Sequence, residues 1–369
     1  MSELRTTEPS TPEPHLWLRH EARPTERRTP VVPEDARRLV EAGVHLTVED
    51  SPQRVFPTQE YETVGARIAP AGSWTSAPRD AVILGLKELP DQPGELTHRH
   101  IFFGHAYKQQ PGAGDLLRRF AAGGGALLDL EYLVDDDGRR LAAFGFWAGY
   151  LGAALAVLQH RGRLSAPLRP TEKGELDETL RPAPGDEEFT ALVVGALGRS
   201  GRGAQAAFAT AGVEPVCWDL AETRDLDRAA LLAHDVLVNC VLATAPVPPF
   251  VREEDLDAPA RRLRTVSDVT CDVGSPLNVL PVYDRTTEWT DPVRRLRKEP
   301  PLDLIAIDNL PSLLPRESSA DFSADLTPLL LDLGVGTGVG AGGPWGRCLD
   351  RFREACRELG LREGEFDRA

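Results

Sequence analysis

The chain has 369 residues, 41% of them apolar, which is more than one hydrophobic core accommodates and predicts two domains of ordinary size. Its formal charge of −15 lacks the basic field that a polyphosphate backbone or an anionic membrane surface requires, so neither nucleic acid nor a membrane is expected as a partner. Five scattered cysteines (Cys217, Cys240, Cys271, Cys348, Cys356), odd in number and without a CxxC pair, indicate neither a disulfide framework nor a zinc or other metal site, and suit a reducing cytoplasm.

The polar, proline-rich start, MSELRTTEPSTPEP, has no apolar core and reads as a tail, not a signal peptide. From Leu16, short apolar runs alternate with amphipathic segments: LWLRHEA, a helix signal at PEDARRLVEAG, then VHLTVED, EYETVGARI, AVILGLKEL, HIFFGHAY and DLLRRFAAGGGALLDLEYL. Strands alternating with helices predict a parallel α/β sheet. LAAFGFWAGYLGAALAVL, residues 141–158, is uncharged over a length close to a bilayer span. Its Gly and Ala content and its basic flanks (Arg139, Arg140, Arg161, Arg163) suit a helix buried between domains better than a membrane span.

RLSAPLRPTEKGELDETLRPAPGDEEFT, rich in proline and charge, reads as an exposed connection. The alternation then restarts with ALVVGALG, GAQAAFATAG, EPVCWD, RAALLAHD and VLVNCVL, and continues through RTVSDVT and LDLIAIDNL. DLTPLLLDLG and GRCLDRFREACRELG close the chain with helical periodicity and no strand between them. A chain ending this way allows those helices to pack back on the first domain, which would then be discontinuous.

In the stretch ALVVGALGRSGRG an apolar run breaks on Gly195, Gly198, Gly201 and Gly203. Glycines there permit the tight turn and the close backbone approach that seats a pyrophosphate at a helix N-terminus. The spacing G-x-x-G-x-x-G is one residue wider than the common dinucleotide fingerprint and is weak alone. About twenty residues on, EPVCWD ends in Asp219, where an acid hydrogen-bonds a ribose 2′-hydroxyl and repels a 2′-phosphate, favouring NAD over NADP. A tight turn and a solvated aspartate are the plainer alternative.

Lysine occurs only at positions 87, 108, 173 and 298. Lys87 and Lys108 lie in the apolar contexts AVILGLKELP and IFFGHAYKQQ. A desolvated lysine loses its proton near neutrality and arginine does not, so a lysine at a buried strand end is a candidate base; a side chain snorkelling into water fits the same residues. His105 and Glu131 end the next two runs, and the carboxyl ends of parallel strands converge on one crevice. Lys87, His105 and Glu131 would be a base, a second proton carrier and an acid tuning them, although His105 alone reads more readily as a packed histidine. Arg23, Arg27 and Arg28, with Arg139 and Arg140, could hold a polycarboxylate bidentately or form a solvated basic face.

Taken together, LRHEARPTERRTPVVP, VEDSPQRVF, PAGSW, APRD, GLKELP, HIFFGHAYKQQ, DLEYL, GRRLAAFGFWAG, GALGRSG, WDLAET, RRLRTVSDV and IDNLPSLLPRESS resemble the NAD-dependent, L-lysine-forming saccharopine dehydrogenases, within the alanine dehydrogenase and transhydrogenase superfamily. The resemblance covers about residues 16–360. It implies an α/β fold of two Rossmann-like domains with parallel sheets and an active-site cleft between them. Residues 1–142 and 323–369 would form a discontinuous substrate and catalytic domain, and 143–322 the NAD-binding domain. The implied activity is reversible oxidation of L-saccharopine, with NAD and water, to L-lysine and 2-oxoglutarate.

By residue matching, the resemblance makes Lys87 the base toward the secondary amine, His105 the carrier of the second proton, and Glu131 a neighbour that tunes Lys87. Arg28, Gln110, Arg140, Phe144, Thr270, Cys271 and Asp272 match substrate positions. Arg139, Gly195, Gly198, Arg199, Asp219, Thr223, Val269, Ile307, Asp308, Asn309 and Leu310 match cofactor positions. Where fungal members can join two cysteines, this chain keeps Cys240 but has Ser200, so that disulfide cannot form; Leu242 replaces a tyrosine and Asn309 a histidine. The resemblance implies a monomer. An opine-type enzyme using another amine, or a non-catalytic NAD sensor, remain the rival readings.

Overall fold

Strands buried on both faces set the architecture, because a parallel sheet sits between two layers of helices and shows no polar side. In the computed structural model, which describes residues 14–107, 112–334 and 342–361, the chain divides into two compact units. Unit 1 comprises the residues up to Ala143 and those from Ser319 onward; unit 2 is Phe144–Ser318.

Unit 1 runs β1 (His15–Leu18), α1 (Pro33–Glu41), β2 (His45–Glu49), α2 (Thr58–Thr63), β3 (Arg67–Ala69), β4 (Val82–Leu84), β5 (Arg99–Phe102), α3 (Ala113–Gly123) and β6 (Ala126–Asp129). The sheet order is β3-β2-β1-β4-β5-β6, and every pairing is parallel. Growth reverses at β1: β2 and β3 add on one side and β4 to β6 on the other. The carboxyl ends of β1 and β4 therefore flank a topological switch point, the usual place for a ligand in such sheets.

Unit 2 runs α4 (Gly145–His160), α5 (Lys173–Leu180), β7 (Ala191–Val194), α6 (Arg199–Thr210), β8 (Val216–Trp218), α7 (Leu220–Arg224), α8 (Arg228–Leu232), β9 (Val236–Asn239), β10 (Thr265–Asp268), β11 (Arg294–Arg297) and β12 (Leu302–Ile305). Its order is β11-β12-β10-β9-β7-β8, with the switch between β7 and β9. Alternate residues of each central strand feed two cores. Val193, Val238 and Ile305 pack with α4 and α6, whereas Leu192, Leu237 and Leu304 pack with α8 and Phe250.

Helices α4 and α6 touch backbone to backbone. A Cβ on Gly149 would fall 1.7 Å from the Ser200 carbonyl oxygen, and one on Gly203 would fall 1.9 Å from that of Phe146. Gly203 is thus a packing residue, not part of the glycine turn.

The chain closes with α9 (Pro315–Gly334) and α10 (Pro344–Glu358). Within unit 1, Thr29 and Val32 donate their N–H groups to the Ser319 and Ser323 hydroxyls at 3.0 Å each. On α10, Phe352 and Cys356 join Trp17, Ile83, Phe102, Leu127 and Phe120 in one core.

Four sequence expectations change. The connection at 163–190 is not wholly exposed, because α5 lies within it and buries Leu176 and Leu180, four residues apart on one helix face. EYETVGARI divides between the end of α2 and β3. The final sheet is not purely parallel: β11, reading RRLR, pairs antiparallel with β12 at the edge, where charged side chains discourage further strand pairing. Finally, α9 starts ten residues before Asp325. The uncharged stretch at 141–158 is mostly α4, and among the described residues no helix is long and apolar enough to cross a membrane.

Candidate active site

Lys87, His105 and Glu131 follow the carboxyl ends of three neighbouring strands, β4, β5 and β6, in unit 1. His105 has φ 49°, a left-handed conformation uncommon for a residue with a Cβ. Its Nδ1 lies 3.8 Å from Glu131 Oε2. Glu131 stands in a 3-10 turn, Leu130–Tyr132, and donates its N–H to Asp129 Oδ1 at 2.9 Å. The resemblance makes Glu131 a neighbour of Lys87, and Glu131 also stands beside His105.

Lys87 also acts on other acids. The Glu26 carboxyl is pushed up by burial, but the Arg28 guanidinium, with a smaller contribution from the Lys87 ammonium, outweighs this and holds it below its ordinary value. Arg28 Nε and Nη2 meet the two Glu26 oxygens at 2.8 and 2.7 Å, a buried fork-to-fork pair. Glu88, held by Arg23 at 2.8 Å, is likewise lowered: burial opposes the shift, while a main-chain hydrogen bond, Arg23 and Lys87 drive it.

The two arginines after β6 follow a turn, and Arg140 bridges antiparallel to Val134. Arg139 is exposed, pairs with Asp137 at 3.1 Å and donates its N–H to Asp135, and Arg140 is exposed beside it. Gln110, like Lys108, lies outside the described residues.

In unit 2, Phe144 precedes α4 as its N-cap. Gly195 turns out of β7 at φ 83°, and a Cβ there would come within 2.9 Å of the Cys240 main chain. Gly198 caps α6 and, lacking a side chain, leaves the first-turn N–H groups without a side-chain cap. Gly201 completes the turn, since a Cβ would fall 2.2 Å from the Gly195 oxygen. Arg199 opens the helix.

Asp219 follows β8. Its carboxylate accepts the N–H groups of Leu197 and Leu220 at 2.9 Å each, tying the glycine turn to the second strand, and Thr223 Oγ1 donates to its carbonyl at 2.8 Å. Leu197, Leu220 and Leu242, 74, 69 and 59% exposed, follow three adjacent strands and offer apolar surface to a flat base. A bare helix N-terminus, a glycine turn that leaves no room for a Cβ at Gly195 or Gly201, an acid at the next strand end and this apolar rim fit a dinucleotide.

The remaining positions follow β10 and β12. Asp268, buried at the end of β10, accepts from Asn239 Nδ2 at 3.0 Å, Thr270 Oγ1 at 2.8 Å and Tyr283 Oη at 2.7 Å, fixing the loop of Val269, Thr270, Cys271 and Asp272. Cys271 has φ 53°, and burial pushes its thiol up, so it stays protonated near neutrality. Among the described residues, His105 and Cys271 are the non-glycine positions with positive φ, and such strain concentrates at functional sites. Ile307 and Leu310 are buried, Asp308 is exposed, and Asn309 donates to Ser312 Oγ at 2.6 Å. All five cysteines are free, and no group of three or more described His, Cys, Asp or Glu is arranged to hold a metal.

Sequence reasoning missed Arg19, Glu21, Glu26 and Asp268. The first three lie in LRHEARPTE, where a run of ionisable residues follows an apolar strand, and that was the available signal.

The family described as "Alanine dehydrogenase/PNT, N-terminal domain" matches residues 17–151. Among solved structures, an L-alanine dehydrogenase superposes with a TM-score of 0.63 at 16% identity, covering 86% of this chain and 89% of its own. A transhydrogenase from Sinorhizobium meliloti gives 0.61 at 16% identity, over 91% and 97%. These two likenesses establish the fold. In sequence, the saccharopine dehydrogenase [NAD(+), L-lysine-forming] of Schizosaccharomyces pombe is 42% identical over 342 residues, 87% of this chain and 93% of its own. That of Neurospora crassa is 42% identical over 363 residues, 93% and 97%. With such identity over nearly the whole length, the chain belongs to the NAD-dependent, L-lysine-forming saccharopine dehydrogenase family.

Proposed function

We propose that this protein oxidises L-saccharopine with NAD and water to L-lysine and 2-oxoglutarate, reversibly. The observation that carries the reading is that Lys87, His105 and Glu131 follow the ends of three adjacent parallel strands, in a chain that relatives of this name match over 87 and 93% of its length. Unit 1 supplies the proton-transfer groups. The glycine turn, Asp219, and the loops after β10 and β12 in unit 2 hold NAD, with Arg139 as a further cofactor contact.

When bound, NAD supplies the hydride acceptor. Lys87 takes the proton of the substrate's secondary amine, freeing the nitrogen lone pair that assists loss of hydride from the neighbouring carbon. His105 then takes a proton from the water whose oxygen adds to the C=N carbon and returns one to the nitrogen, which leaves as the amine when the C–N bond breaks and the C=O forms. Arg28, Gln110 and Arg140 hold substrate carboxylates, and Phe144, Thr270, Cys271 and Asp272 match further substrate positions; such contacts hold the reacting carbon in place. The protein acts as a cytoplasmic monomer, which sedimentation and cell fractionation test.

The deciding experiment is oxidation of NADH by the purified protein with 2-oxoglutarate and a panel of amines, with NADPH as control. Turnover with L-lysine and NADH supports the assignment. Turnover only with a different amine makes the protein an opine-type enzyme, and none with any amine removes the enzymatic reading.

A further inference from the structure

We propose that Arg19 and Glu21 form a buried positioning pair for Lys87. The proposal rests on the reading of Lys87 as the base. Strand β4 ends at Leu84, so Lys87 stands beyond the last regular pairing of that strand. What fixes it is an ion pair just past the end of β1. Glu21 Oε1 accepts the Leu86 N–H at 2.7 Å and Oε2 accepts the Lys87 N–H at 3.0 Å. Arg19 Nη2 donates to the Lys87 carbonyl oxygen, and Arg19 Nη1 lies 3.3 Å from Glu21 Oε2. The peptide groups on both sides of the Lys87 Cα are therefore gripped by one pair of opposite charges.

Both charges are buried, Arg19 at 1% exposure and Glu21 at 5%. A buried pair contributes little net stability over apolar residues, because desolvation offsets its attraction, so its geometry is the more telling property. On the other flank, Gly85 donates to Ile101 and Phe103 to Leu86, at 2.9 and 3.1 Å, tying the same segment to β5, which leads into His105. The Arg19 guanidinium lies over the Phe102 ring, 5.8 Å from its centroid, and directly above Gly85, where a Cβ would sit 2.4 Å from Arg19 Nε. Arg19 and Glu21 thus set the origin of the Lys87 side chain relative to the strand that leads into His105. Misplacing a reacting group by about 1 Å costs on the order of 100-fold in rate.

The test compares Glu21→Gln and Gly85→Ala in two backgrounds, native and Lys87→Met, reading kcat, KM for NAD and NAD affinity. Glu21→Gln leaves one of the two N–H groups without its acceptor; Gly85→Ala removes no charge but displaces the guanidinium. In the native background each is expected to lower kcat about 10- to 100-fold with NAD affinity unchanged. In the Lys87→Met background neither is expected to cost anything further, since nothing remains to be positioned. Equal losses in both backgrounds, or no loss in either, overturn the proposal. If Lys87→Met itself keeps native kcat, the reading of Lys87 fails instead, which is a different result. Should Glu21→Gln not fold, Gly85→Ala carries the same comparison.

Discussion

His105 Nδ1 stands 3.8 Å from Glu131 Oε2, each side chain projecting from the loop after its own strand of one parallel sheet. That distance is too long for a direct hydrogen bond, and His105 is 55% exposed, so solvent screens the pair. The expected outcome is a kcat loss of about fivefold for Glu131→Gln, the size of a partly exposed charge pair, against at least about 100-fold for His105→Gln. Steady-state rates of the two variants check this. Equal losses would give Glu131 a proton-transfer role of its own.

Lys87→Met is expected to lower kcat about 10²- to 10⁴-fold, the range of a lost general base, without weakening NAD. Fluorescence titration of NAD beside steady-state turnover separates the two effects. A variant that binds NAD poorly and turns over normally at saturation would place Lys87 in cofactor binding.

Asp219 has a structural task and, on the proposed reading, a second one toward the cofactor; removing it should separate them. Asp219→Ala removes the acceptor for Leu197 N–H and the cap of α7, so a stability loss of about 1 kcal/mol is expected on thermal melting. It also removes the charge that opposes a 2′-phosphate, so KM for NADPH should fall while KM for NADH rises. Unaltered preference between the two cofactors would move the ribose contact elsewhere.

His100, fully buried on β5, has no hydrogen-bond partner at either ring nitrogen among the described residues and lies edge-on to Trp74, Phe102 and Phe120. Burial, assisted by the positive charge of Arg19, holds its pKa well below 6.5, so the folded state keeps it neutral. The unfolded chain takes up a proton as pH falls through 6.5 and the folded chain does not, so this contribution to stability is complete above that pH and is lost below it. His100→Phe should therefore shrink the difference in melting temperature between pH 7 and pH 5. An unchanged difference would show that His100 is not the acid-sensitive group.

The strand ends were legible because each candidate residue closes an apolar run: Lys87 after AVILGL, His105 after HIFFG, Glu131 after ALLDL. Period and composition encode such positions directly. The grip of Glu21 on Leu86 and Lys87 was not legible, since it spans 65 and 66 residues and consists of main-chain contacts that any residue could receive. Helix α5 hid in a proline- and charge-rich stretch, and within the helix itself only Leu176 and Leu180 are buried. Strand β11 hid because RRLR shows no apolar alternation, and its place was set by the open edge of β12.

The contact between α4 and α6 bears on any attempt to make this enzyme more heat-resistant. Replacing helical glycines by alanine is a standard route to stability, gaining roughly 0.5–1 kcal/mol wherever a methyl group finds room. At Gly149 and Gly203 the facing carbonyl oxygens would lie 1.7 and 1.9 Å from that methyl carbon. A library built on helix propensity alone would select against itself at these two sites, where the hydrogen atom of glycine is the largest group the seam admits.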